Sequence, residues 1–306
     1  YMKREWTKIE FKKERPFNKR MGATLLFMRE NLATILRLSA SFLLPTVLLF
    51  TFFFTWSTSH LFRLLTVGYI TPSALGAFAL LLASTILLIL LVPALSYSLL
   101  QLYNERDERL KGIHFGEVMS QLKGNFTKIA CLLPYLIILI SLFILLKIKT
   151  SSIVAIIASI VFLLGIGAPL LLLMPIYTIE KSSLFKSFKR SLSLGYRHWG
   201  STLLFWFVLK LLGACILLFF AFPWIMSIYV EAAFFASSTT FEVPFIYQII
   251  IYLFSLLMVF GLVFSSIFIL IGMAYQYAHT TLYRKKIYIV DDIDKAEESF
   301  KVLRDK

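Results

Sequence analysis

The sequence predicts an all-α membrane protein with six transmembrane helices, and three observations carry that prediction. The chain of 306 residues is 59% hydrophobic and only 16% charged, against about 25% charged for a soluble domain. Its mean hydropathy is +0.81. The charges are also segregated, because long stretches hold no ionisable group while Lys, Arg, Asp and Glu crowd into short segments between them. A helix in water needs one polar face, so charge-free stretches of this length belong in lipid.

A helix that crosses the hydrocarbon core needs about 20 mostly apolar residues. Six stretches meet that length: 38–56, 73–102, 126–146, 152–178, 201–229 and 245–277. Several are longer than the minimum, which implies tilt or extension into the interface rather than extra spans. Gly165, Gly167 and Pro169 interrupt the fourth, but neither half is long enough to cross alone. Prolines recur within or near the ends of the spans, at Pro45, Pro93, Pro134, Pro169, Pro175 and Pro223. They imply either kinked helices packed against neighbours or broken helices lining a cavity.

Orientation follows from Lys and Arg in the connections. Ten precede the first span, Arg106, Arg109, Lys111 and Lys123 follow the second, Lys181, Lys186, Lys189, Arg190 and Arg197 follow the fourth, and seven lie in the tail. The opposite side holds Arg63, Lys147 and Lys149, with Glu231 and Glu242 in its last connection. Both termini are therefore expected in the cytoplasm. The domain boundaries that result are 1–37, a cytoplasmic segment with an amphipathic interfacial helix; 38–280, the six-helix domain; and 281–306, a cytoplasmic tail with a short helix capped by Asp294. The net charge of +14 is explained by this bias and by attraction to anionic headgroups. No nucleic-acid signature accompanies it.

The spans pair into hairpins, each preceded by a segment of mixed polarity, 17–37, 115–128 and 184–199. These end in Arg29-Glu30-Asn31, Lys123-Gly124-Asn125 and Arg197-His198-Trp199, while the returning spans finish in Ser96-Tyr97, Ile176-Tyr177 and Gln276-Tyr277. The pattern predicts three repeats of interfacial helix plus hairpin, related by rotation about the membrane normal. In the third segment Leu184, Phe185, Phe188 and Leu192 fall at helical spacing among Lys186, Lys189 and Arg190, which suits a helix at the acyl boundary or one docked on the bundle.

Intramembrane ionisable groups are the usual pointers to function. Lys210, inside the fifth span, lies roughly 14 Å from its cytoplasmic end, too deep to reach the surface easily. It is expected to face protein, water or a cavity, with three roles open: pairing inside the bundle, binding an anionic substrate or headgroup, or contacting a partner subunit. No Asp or Glu falls within the six spans, whereas ion-coupled carriers bury one. Glu180 closes the fourth span against the helix dipole and is expected to pair with Arg190 or Arg197. His198 stands between Arg197 and Trp199 at the interface. His60, His114, His198 and His279 have no metal-ligand spacing, and no nucleophile elbow, phosphate loop or dinucleotide fingerprint occurs. Cys131 and Cys215 lie in apolar runs as small hydrophobes. No cofactor, metal or catalytic activity is expected.

The run Pro175-Ile176-Tyr177-Thr178-Ile179-Glu180, followed by Ser187-Phe188-Lys189-Arg190-Ser191-Leu192 and a further hairpin, resembles bacterial six-helix membrane proteins related to the membrane domain of glycerophosphoryl diester phosphodiesterases. The likeness in layout covers most of the chain. It implies residence in the bacterial cytoplasmic membrane and a membrane module without hydrolase activity, because in those enzymes catalysis belongs to a separate barrel domain. It carries over no catalytic residue. The expected function is therefore a non-enzymatic scaffold or subunit that organises phospholipids, partner membrane proteins or further copies of itself. The alternative is a transporter or channel for an anionic or lipid-like substrate.

Overall fold

The structure, a computed structural model, describes residues 8–67, 71–149, 165, 167–180, 182–237 and 244–304. The described residues form helices and no strand. We number them α1 (Phe17–Val67), α2 (Pro72–Glu105), α3 (Phe115–Lys149), α4 (Ala168–Leu170), α5 (Leu173–Ile179), α6 (Leu184–Arg197), α7 (Trp199–Ser237) and α8 (Phe245–Arg304).

Four helical stretches are long and apolar enough to cross a membrane: Phe17–Leu61, Pro72–Glu105, Trp199–Ala233 and Phe245–Leu282. They contain the first, second, fifth and sixth of the expected spans. The third falls within α3, and most of the fourth lies outside the described residues. The outward surface agrees with an apolar surround. On α7, Leu218 is 59% exposed and Phe219 77% exposed, positions where water would impose a large penalty on side chains of this size.

Two sequence expectations change here. The segments 17–37 and 115–128 are not separate surface helices, since each runs unbroken into the span that follows, making α1 51 residues long and α3 35. Neither junction contains a proline or a residue with positive φ to stop the helix. Only the third surface segment is a distinct helix, where His198 leaves helical geometry (φ −116°, ψ 29°) between α6 and α7. Asp294 does not begin a separate helix, because α8 continues through it to Arg304. Pro45, Pro93, Pro134 and Pro223 likewise sit inside continuous helices. The break falls at the fourth span, where α4 and α5 are separated by a turn at Leu171 and Leu172.

Helices α7 and α8 form a closely packed hairpin. A Cβ added to Gly261 would stand 2.4 Å from the Phe220 Cβ, and one added to Gly213 2.7 Å from the Ser265 Oγ. Ser265 donates to the Gly213 carbonyl at 2.9 Å. The partner number falls along α8 as it rises along α7, so the two run antiparallel. Helix α1 packs against α2 and α8, α2 also against α3 and α8, and α6 against α4 and α5. The start of α1, the ends of α2 and α5, the start of α3, and His279 near the end of the described α8 side chains share one end of the bundle, which we call the basic end.

Candidate functional site

Polar side chains concentrate at the basic end, where the segments that return toward it, α2, α5 and α8, all touch one another. An unpaired polar group in such a place costs about 1–3 kcal/mol, and the side chains form three interlocked groups that meet most of that requirement.

The first group centres on Gln101 of α2, which is 7% exposed. Its Oε1 accepts from Asn125 Nδ2 at 2.8 Å and from Gln121 Nε2 at 2.6 Å, and its Nε2 donates to the Thr178 carbonyl at 3.0 Å. Asn125 also donates to Ser98 Oγ at 2.9 Å, and Lys128 Nζ to the Thr178 carbonyl at 3.2 Å. One amide thereby joins α2, α3 and α5.

The second group holds α6. Glu180 pairs with Arg190 at 3.0 Å and accepts from the Tyr277 hydroxyl of α8. Ser191 Oγ donates to the Pro169 carbonyl at 2.7 Å. The approach is close enough that a Cβ on Gly195 would lie 2.3 Å from the Pro169 Cα. Glycine is required here for space, not for backbone conformation.

The third group surrounds Arg20 of α1, which is 4% exposed. Its Nη1 donates to Gln276 Oε1 of α8 and, at 3.5 Å, to Ser201 Oγ in the first turn of α7. Gln276 Nε2 donates to Thr202 Oγ1 at 3.1 Å. The guanidinium lies 5.2 Å from the Phe205 ring centroid and 5.8 Å from that of Phe17. His198 is half-buried beside it. Burial, then the neighbouring Arg197 and Arg20 charges, push the His198 imidazole below the usual histidine range.

The stretch ahead of α1 crosses this end. Lys8 Nζ donates to the Asn104 and Arg106 carbonyls, each at 2.9 Å, and Ile9 N to the Tyr103 hydroxyl at 3.2 Å. Tyr103 donates to Glu30 at 3.3 Å, which pairs with Arg109 at 3.4 Å. Phe11 packs on Tyr275 with ring centroids 5.7 Å apart.

Of the residues singled out from sequence, Glu180 and Arg190 are brought together. Arg197 is exposed at the end of α6, and His198 turns toward Arg20. Lys210 stands apart from these groups, in a place that fits two of its three expected roles, a headgroup or a partner subunit, better than pairing inside the bundle. It does not face the bundle interior but stands exposed on the outward side of α7, beside Phe207 at 59% and Leu211 at 56% exposure. Helical side chains lean toward the N-terminus, and its ammonium lies 5.8 Å from the Trp206 ring one turn back.

Sequence reasoning passed over Arg20 and Gln101 and took Asn125 and Gln276 only as marks of the repeat. Gln101 and Gln276 did leave a signal, as lone amides at the ends of apolar spans. Arg20 left none among nine other basic residues ahead of the first span. Glu231, read as a connection residue, is drawn into α7 and is 5% exposed. Among the described residues no three His, Cys, Asp or Glu side chains gather as a metal site. No protein-family model, curated protein or solved structure matches the chain.

Proposed function

We propose that this chain is a non-enzymatic module of a bacterial cytoplasmic membrane, with six spans and cytoplasmic termini, that organises lipids or partner proteins as a scaffold or subunit. The observation that carries the functional part is the position of Lys210. A cation this far along a span is expensive in hydrocarbon, and it stands on the flank beside Trp206, not in a passage through the bundle. A flank cation suits a phospholipid headgroup drawn down along Trp206 or an acceptor on an adjoining chain. The transporter reading wanted Lys210 on a polar path through the interior, and its position on the outside favours the module.

Six spans in three repeats are supported by how the surface segments dock. The start of α3 is held to α2 through Asn125 and Gln101. Helix α6 is held to α4 and α5 through Ser191 and Arg190. The start of α1 is held to α8 through Arg20 and Gln276. Each segment thus sits on the return of the hairpin before it, and the first sits on the last, as a ring of three units requires. The resemblance to the membrane domain of glycerophosphoryl diester phosphodiesterases fits the same layout.

The test is purification in mild detergent with mass spectrometry of co-purifying proteins and lipids, for wild type and Lys210→Leu. The module reading predicts a specific protein or phospholipid retained by wild type and lost from the variant. An identical set with both would contradict the role given to Lys210.

A further inference from the structure

The surroundings of Arg20 combine a buried cation with an exposed rim. The floor is the Arg20 guanidinium, whose Nε is buried without a hydrogen-bond partner. The Arg20 guanidinium meets the Gln276 amide, the Ser201 hydroxyl and the Phe205 and Phe17 rings. A buried polar group left without a partner is costly. The rim is the first turn of α7, where Gly200 and Ser201 are exposed, together with exposed Arg197 and half-buried His198. Helix α7 begins at Trp199, so its positive dipole end adds to the same place. His279 lies within electrostatic reach of Arg20, His198 and Glu14, and Glu14 is the acid to reckon with on that side.

We infer that this niche binds the phosphate group of an ester or of the free anion, with Arg20 as its buried anchor and Ser201, His198 and Arg197 at its mouth. Arginine matches phosphate geometry, and a helix N-terminus adds N–H groups and dipole. The niche lies at the basic end, where the phosphates of a bilayer leaflet would stand, so a lipid phosphate and a free phosphate are the two sources of the same chemistry. The inference rests on the reading of the chain as a membrane module that gathers lipids, and it names which headgroup chemistry that end selects.

The experiment is calorimetric titration of the 306-residue chain, purified in neutral detergent, with dioctanoyl phosphatidic acid and, separately, with inorganic phosphate. Saturable binding of either supports the niche, and which one binds identifies the source. Binding of neither overturns it. Arg20→Gln should weaken that binding at least tenfold, and affinity unchanged within twofold overturns the assignment. Should thermal melts show Arg20→Gln unfolded, Ser201→Ala and His198→Gln carry the test. At least one is expected to weaken binding threefold or more, and wild-type affinity in both overturns the niche. The module reading fails separately. If these variants bind as wild type while Lys210→Leu loses its co-purifying partner, the niche is wrong and the module stands.

Discussion

Glu180 and Arg190 meet at 3.0 Å across the turn that joins α5 to α6, and the Tyr277 hydroxyl of α8 donates to the same carboxylate. A carboxylate at the end of a helix opposes the dipole there, so this one depends on its two partners. Glu180→Leu should lower stability by about 1–3 kcal/mol, the range for a partly buried polar group whose partners are stranded. Arg190→Leu should do less, because the Arg190 side chain is 38% exposed and solvent screens it. Thermal melts in detergent check the order, and a larger loss for Arg190→Leu contradicts it.

Gln101 is the busiest side chain in the polar layer. Gln101→Leu strands Gln121, leaves Asn125 only Ser98 and the Thr178 carbonyl only Lys128, and should destabilise by about 1–3 kcal/mol. Removing Asn125 as well should cost less than the two single losses added, since both act in one network. A double-mutant cycle by denaturant titration measures the coupling.

Glycines give a contrast free of electrostatics. Gly195→Ala drives a methyl against the Pro169 backbone and should cost about 1–3 kcal/mol as α6 is pushed away. Gly124 lies in α3 with nothing within 4 Å of an added Cβ, and Gly124→Ala should be neutral or stabilise by up to about 1 kcal/mol. Comparing the two melting temperatures tests the close approach of α6 directly.

Proton linkage at His198 has a definite sign. Its folded-state pKa is below the unfolded value, with burial the main cause and Arg197 and Arg20 adding to it. The unfolded chain therefore takes up the proton first, and stability falls as pH drops below the ordinary histidine range, levelling off once pH is below the depressed value. His279 and Glu14 stand in the same surroundings and set the background. His198→Gln should flatten part of the decline between about pH 6.5 and 5, as read from melting temperature against pH.

How far the sequence reaches can be judged from particular residues. The long helices were legible because lipid demands charge-free runs, and a run's length is a local property. Glu180 with Arg190 was legible because ten positions separate them and the dipole argument requires a partner. Arg20 with Gln276 was not, because 256 positions lie between them and nothing in either neighbourhood names the other. The outward position of Lys210 was hidden for a different reason. Its helix is apolar on every side, so periodicity cannot say which face meets the bundle. The continuity of α1 and α3 was missed because polarity changes at the membrane surface while the backbone, meeting no breaker, does not.

The central claim is a six-span module whose basic end faces the cytoplasm, and α3 is its decisive element. In a background carrying Cys131→Ser and Cys215→Ser, single cysteines are placed at Lys149, the last residue of α3, at Ser237, the last of α7, and at Ser299 near the end of α8. Intact cells are then treated with a membrane-impermeant maleimide. The account predicts labelling at positions 149 and 237 and none at 299 until the cells are opened. Protection at 149 with labelling at 237 would show that α3 does not cross, and labelling at 299 in intact cells would reverse the orientation.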